Sequence, residues 1–88
     1  MSAEAWSVEF ERRAEKDLNR LDPPVKKQVL DAIDRLALNP HDAPLRKLTG
    51  RPQLRLRVRD WRLFVRLDHD TRTILVERIL PRGRAYDR

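Results

Sequence analysis

The 88-residue sequence has no cysteine, only two glycines and only five aromatic residues. Without cysteine, neither a disulfide framework nor thiolate chemistry is available. No apolar run approaches the roughly 18 residues that a transmembrane helix needs, and no N-terminal segment resembles a signal peptide. We therefore expect a cytoplasmic protein with no membrane partner, folded as one small domain over positions 1–88.

Positive charge is abundant, and it is unevenly placed. The formal net charge is +6 and the isoelectric point is about 10.7. Positions 1–50 carry 9 basic and 9 acidic residues, whereas positions 51–88 carry 11 arginines and 5 acidic residues. Because arginine presents a planar fork of donors that fits phosphate, the second half predicts a nucleic-acid-binding surface. The same charge would also attract an acidic protein partner or a membrane surface.

The most regular stretch runs from Leu54 to Leu67, where apolar and basic residues alternate on both sides of Arg59-Asp60. Strict alternation predicts half-buried strands, and the polar pair between them predicts a two-residue hairpin turn. Val58 would then pair with Trp61, and one face of the hairpin would be apolar. The opposite face would carry four arginines and one aromatic residue: Arg55, Arg57, Arg62, Phe64 and Arg66.

The flanking segments predict the elements around this hairpin. Asp22 is a good N-cap before Pro23, and Asn39-Pro40 ends the helix that starts there. The predicted elements are a strand at 6–10, helices at 10–21 and 23–38, a loop at 41–53, and strands at 54–58, 61–67 and 73–79. This β-α-α-β-β-β order predicts an α+β fold, in which an N-terminal helical hairpin covers the apolar face of an antiparallel sheet and leaves the arginines open.

Several short motifs occur in a characteristic order along the chain. They are Ala14-x-x-Asp17-Leu18-x-x-Leu21, the helix end at Asn39-Pro40, Lys47-Leu48-x-Gly50, Arg57-Val58-Arg59-Asp60-Trp61-Arg62, and Arg82-Gly83-Arg84-Ala85-Tyr86. Over nearly its full length the chain resembles the RelE/ParE superfamily of toxins from type II toxin–antitoxin systems. It departs from the family pattern at Arg59, where a turn glycine is usual.

The resemblance implies a RelE-like, ribosome-dependent mRNA endonuclease in which an RNA 2′-hydroxyl attacks the adjacent phosphate, with no metal or other cofactor. It implies as partners the ribosome, mRNA and a cognate antitoxin with an acidic, partly disordered segment. Catalytic roles would fall on Arg57, Arg62, Arg82 and Tyr86. RNA-binding roles would fall on Arg55, Phe64, Arg66 and Arg84. The alternatives are a ParE-like, non-catalytic toxin that inhibits DNA gyrase, and a plain nucleic-acid-binding module.

The candidate residues suit some steps of this reaction better than others. Arginine can neutralise a pentavalent phosphate, but it is a poor base because its pKa lies above about 12. His41 and His69 fall in a predicted loop and turn, away from the basic face, so we do not expect them to transfer protons. Tyr86 could exchange protons, stack on a base or simply anchor the tail. Glu77 is expected to pair with a neighbouring arginine rather than act as a base.

Overall fold

The computed structural model describes the backbone of residues 5–85 and the side chains of residues 5–83. Over this range the elements are β1 (Ser7–Phe10), α1 (Arg12–Asn19), α2 (Pro23–Leu38), β2 (Arg46–Lys47), β3 (Leu54–Val58), β4 (Trp61–Asp68), β5 (Thr73–Pro81) and α3 (Arg82–Ala85). The α+β class and the N-terminal pair of helices agree with the prediction. Within the described range, no helix is both long enough and apolar enough to cross a membrane.

The strands form one sheet in the order β1-β5-β4-β3-β2. Most neighbouring pairs are antiparallel, as predicted, and the parallel pair joins β1 to β5, with Val8 opposite Ile74. The short strand β2 lies in the segment predicted to be a loop, where Arg46 pairs with Arg55. A two-residue strand has no internal periodicity, so only its pairing with β3 defines it.

The β3–β4 hairpin has the predicted register. Val58 pairs with Trp61, Leu56 with Leu63, and Arg57 with Arg62. The turn keeps two residues although Arg59 stands where glycine is usual, and Arg59 adopts the left-handed region with φ 54°. The register is kept because burying the apolar face of both strands stabilises the hairpin by more than the strain at Arg59 costs, which is about 1 kcal/mol.

The core lies between the helices and one face of the sheet. From α2 it takes Val29, Ile33 and Leu36, each at most 2% exposed. From the sheet it takes apolar side chains that are at most 1% exposed: Leu63, Val65, Ile74, Val76 and Ile79. Burying each of these side chains contributes roughly 1.5–3 kcal/mol, so this interface supplies most of the stabilisation.

A buried carboxylate ties α1 to the sheet. Strand β1 ends at Phe10, whereas β5 continues to Pro81, so the edge of β5 beyond β1 needs other partners. Asp17 is 8% exposed and accepts hydrogen bonds from the Ile79 backbone N–H (2.9 Å) and from Arg78 Nε (2.8 Å) and Nη2 (3.2 Å). The hydrogen bond to Asp17 raises the pKa of the Arg78 guanidinium, although partial burial acts in the opposite direction.

Replacing this carboxylate should destabilise the fold. Asp17→Ala leaves the Ile79 N–H and the Arg78 guanidinium without their acceptor, so we expect the free energy of unfolding to fall by about 2–3 kcal/mol. Urea denaturation measures this change. Asp31→Ala is the matched control, because Asp31 forms an exposed helical pair with Lys27 and should cost less than about 0.5 kcal/mol. Equal losses in the two variants would contradict this account of the β5 edge.

The strained turn predicts that two glycine substitutions change the free energy of unfolding in opposite directions. Arg59→Gly relieves the left-handed conformation and should raise the free energy of unfolding by about 0.5 kcal/mol, after the entropy cost of glycine. Arg57→Gly places glycine inside strand β3 and should lower it by about 0.5–1 kcal/mol. Thermal unfolding of the two variants side by side tests the turn geometry, and a loss of stability in Arg59→Gly would contradict it.

Candidate functional site

The sheet face opposite the core collects arginines from three strands. Cross-strand partners point to the same side, so Arg46, Arg55 and Phe64 form one row across β2, β3 and β4. Arg57 and Arg66 lie on the same face in the rows on either side. We call this surface the arginine face and define it by Arg46, Arg55, Arg57, Phe64 and Arg66. The helices pack on the other side and leave it accessible.

Exposure differs among these side chains. Arg46, Arg57 and Arg66 are exposed, whereas Arg55 and Phe64 are half-buried. A partly buried aromatic ring between cations can offer its accessible surface to a base, while the arginines bind phosphate. Arg46 was not among the predicted site residues, because β2 has no periodic signal of its own. Its cross-strand pairing with Arg55 adds it to the face.

Arg62 departs from the predicted arrangement. It is 3% exposed, and its Nη1 donates to the carbonyl oxygens of Arg59 (3.0 Å) and Trp61 (2.9 Å). The expectation of an open guanidinium at this position is therefore wrong. Arg62 lies directly opposite Arg57, so turning its charge back over the hairpin turn lowers like-charge repulsion and provides two acceptors. Its contacts are those of a residue that holds the turn.

Glu77 occupies a β-bulge on the arginine side of β5. Val65 pairs with Val76 and Phe64 with Arg78, which leaves Glu77 as the extra residue. Its carboxylate forms an ion pair with Arg66 (Nε to Oε2, 2.9 Å) and accepts a hydrogen bond from Gln53 Nε2 (3.0 Å). Glu77 thus pairs with an arginine, as predicted. The apolar residues Val76 and Ile79, both buried, are three positions apart in the sequence, whereas an unbroken strand would bury every second residue. This spacing is the sequence signal for the bulge.

The remaining predicted residues lie near the β3–β4 turn or beyond the described side chains. The Arg82 backbone N–H donates to the carbonyl of Asp60 (2.7 Å), which places Arg82 beside the turn, and its side chain is exposed. Arg84 has a described backbone in α3, but its side chain lies outside the described residues. Tyr86 lies outside them altogether. The catalytic and RNA-binding roles of these residues stay predictions.

The two histidines meet at the opposite end of β4 from this turn. The rings of His41 and His69 stack with centroids 5.5 Å apart, and each meets the Trp6 ring edge-on, at 5.8 and 5.4 Å. Sequence spacing placed them in separate loops and could not show this contact. The eight residues of β4 separate His69 from Arg59, so the histidines are remote from Arg57 and Arg82.

His69 nevertheless borders a cavity that reaches the arginine face. The open cavity has a volume of about 790 Å³. Its lining includes both loop and strand residues, among them Glu9, Pro52, Arg66, Asp68, His69 and Leu75. Arg66 is therefore shared between the arginine face and this cavity. The lining also includes the carboxylates of Glu9, Asp68 and Asp70, whereas Arg66 contributes a guanidinium.

The sequence matches the family model for the ParE toxin of type II toxin–antitoxin systems over residues 8–86. The chain belongs to the ParE toxin family. No curated protein sequence matches it.

Solved structures share the fold of this ParE-family chain. The RelBE2 toxin–antitoxin complex from Mycobacterium tuberculosis is similar at 24% identity, with a TM-score of 0.80, covering 90% of this chain and 100% of that one. The RelB–RelE complex from Methanococcus jannaschii is similar at 26% identity, with a TM-score of 0.71 and coverage of 91% and 96%. The intact Escherichia coli RelBE complex is similar at 21% identity, with a TM-score of 0.77 and coverage of 88% and 96%.

The contrast between Arg62 and Arg57 predicts different effects on stability. Arg62→Ala removes a buried donor and leaves the carbonyls of Arg59 and Trp61 without it, so the free energy of unfolding should fall by about 1–3 kcal/mol. Arg57→Ala, at the paired exposed position, should change it by less than about 0.5 kcal/mol. Urea denaturation compares the two. If Arg62→Ala is as stable as Arg57→Ala, the buried contacts of Arg62 do not hold the turn.

Proposed function

We propose that this ParE-family toxin acts on RNA through the arginine face and cleaves mRNA on the ribosome. The observation that carries the proposal is the grouping of four arginines around Phe64 on the sheet face that the helices leave uncovered. Guanidinium groups bind phosphate oxygens in pairs, and an aromatic ring accepts a base of any sequence. The combination suits a flexible single strand better than a folded acidic protein.

The proposed reaction is attack of an RNA 2′-hydroxyl on the adjacent phosphate. Arg57 is exposed and would neutralise the charge of the pentavalent phosphate, with Arg82 approaching from the end of β5. Tyr86 would take the 2′-hydroxyl proton as the new O–P bond forms and supply a proton to the 5′ oxygen as the P–O5′ bond breaks, since an arginine does not release one near neutral pH. Arg62 would contribute by fixing the turn that presents Arg57, rather than by touching the phosphate. The reaction needs no cofactor.

An antitoxin is the proposed protein partner. The similar structures from M. tuberculosis, M. jannaschii and E. coli are complexes of a RelE toxin with a RelB antitoxin. For this chain, an acidic and partly disordered antitoxin segment would be attracted by the net charge of +6 and would compete with RNA for the arginine face. Such competition would keep the toxin inactive until the antitoxin is lost.

Inhibition of DNA gyrase is the second candidate. Two observations favour it: the matching family model is that of ParE, and Arg62 turns inward, so one cation of the predicted nuclease set does not reach the open face. A gyrase inhibitor needs a binding surface but no acid–base group, and the arginine face could serve that purpose as well. The two candidates differ in what is damaged in the cell, which an expression experiment can measure.

Induced expression should stop translation, with mRNA cut within codons as mapped by primer extension on isolated transcripts. Arg57→Ala and Arg82→Ala should each lower the cleavage rate by about 100-fold, because each removes a charge from the transition state. Arg13→Ala is the matched control: it removes an exposed arginine from α1 and should leave cleavage unchanged. Intact mRNA together with a DNA-damage response would instead support gyrase as the target.

A further inference from the structure

Glu77 and Arg66 form an ion pair on the arginine face. The β-bulge brings the Glu77 carboxylate onto this face, where its side chain is 14% exposed. One oxygen forms an ion pair with Arg66 Nε, and the other accepts a hydrogen bond from Gln53 Nε2. Gln53 belongs to the loop before β3, and its Oε1 is buried without a hydrogen-bond partner. This contact therefore joins three separate segments of the chain at one carboxylate.

The side of the guanidinium that Glu77 engages leaves the phosphate-binding side open. A guanidinium offers Nε–H along one edge and its two Nη groups at the far end. Glu77 Oε2 lies 2.9 Å from Arg66 Nε as an ion pair, and the Arg66 side chain remains 47% exposed. The terminal pair of Nη groups is the arrangement that binds two phosphate oxygens at once. Arg66 also lines the cavity, so its ion pair with Glu77 places the guanidinium beside that opening.

We propose that Arg66 is a phosphate-binding residue of the RNA site and that Glu77 is its positioning residue, with the nucleoside next to that phosphate entering the adjoining cavity. The inference rests on the proposed action on RNA and names one subsite of it. Holding a long side chain in place before binding lowers the entropy lost when the phosphate is bound. Glu77 thus strengthens the binding of an anion although it is itself an anion.

The direction in which RNA affinity changes when Glu77 loses its charge separates positioning from simple electrostatics. If Glu77 only neutralised Arg66, removing its charge would strengthen RNA binding. The positioning role predicts the opposite. Glu9 supplies the matched control, because it is an exposed carboxylate on the neighbouring strand, on the same face and lining the same cavity. Glu77→Gln and Glu9→Gln each remove one negative charge, but only the first removes the charge that is paired with Arg66.

The experiment measures the anisotropy of a short fluorescein-labelled oligouridylate, at physiological salt, with variants checked for folding by circular dichroism. Glu77→Gln should weaken binding by about fivefold to tenfold, and Glu9→Gln should strengthen it by less than about threefold. In an Arg66→Ala background, Glu77→Gln should no longer weaken binding, because Glu77 acts through Arg66. An equal gain in affinity from Glu77→Gln and Glu9→Gln would overturn the inference.

A second measurement does not depend on RNA. In ¹H–¹⁵N spectra, the Arg66 Nε–H signal should shift when inorganic phosphate is added, and Glu77→Gln should reduce this shift. Arg66 signals that are the same with and without Glu77 would overturn positioning. If oligouridylate binding is unaffected by Arg57→Ala and Arg66→Ala, the proposed action on RNA fails, and the phosphate titration then decides the inference alone.

Discussion

The register of the β3–β4 hairpin is the constraint on which the rest of the structure depends. Pairing Val58 with Trp61 sends every second side chain of two strands into the core and the others to the opposite face. A slip of one residue would bury arginines beneath α2 and expose Leu56 and Leu63. The strain at Arg59 is small compared with that outcome, which is why the turn tolerates a residue that disfavours its backbone conformation.

Residue alternation and helix-breaking residues predicted the hairpin and the second helix, whose structure depends on residues close together in the sequence. The alternation around Arg59-Asp60 was sufficient for the hairpin, and the breaks at Pro23 and Asn39-Pro40 were sufficient for the bounds of α2. The parallel pairing of β1 with β5 and the pairing of β2 are contacts between distant segments, for which the sequence has no periodic signal. The antiparallel prediction therefore described most of the sheet and could not specify how its edge strands were added.

The candidate site shows the same division between local and distant information. Alternation placed Arg55, Arg57, Phe64 and Arg66 on one face, because face assignment follows from strand geometry alone. It could not show that the guanidinium of Arg62 folds back, since this depends on carbonyl acceptors that exist only once the turn has formed. Side-chain rotamers and partners, unlike faces, are decided by three-dimensional surroundings. A residue type that suits phosphate can equally serve as a structural donor.

The parallel pairing of β1 with β5 also affects when the molecule can fold during its synthesis. Ser7 pairs with Thr73, and β5 lies between β1 and β4 in the sheet, so the first strand has no neighbour until the last has been made. A nascent chain still held in the exit tunnel at Pro81 lacks the strand that unites the two edges of the sheet. During synthesis β1 can therefore be paired only after the β5 segment has emerged from the ribosome.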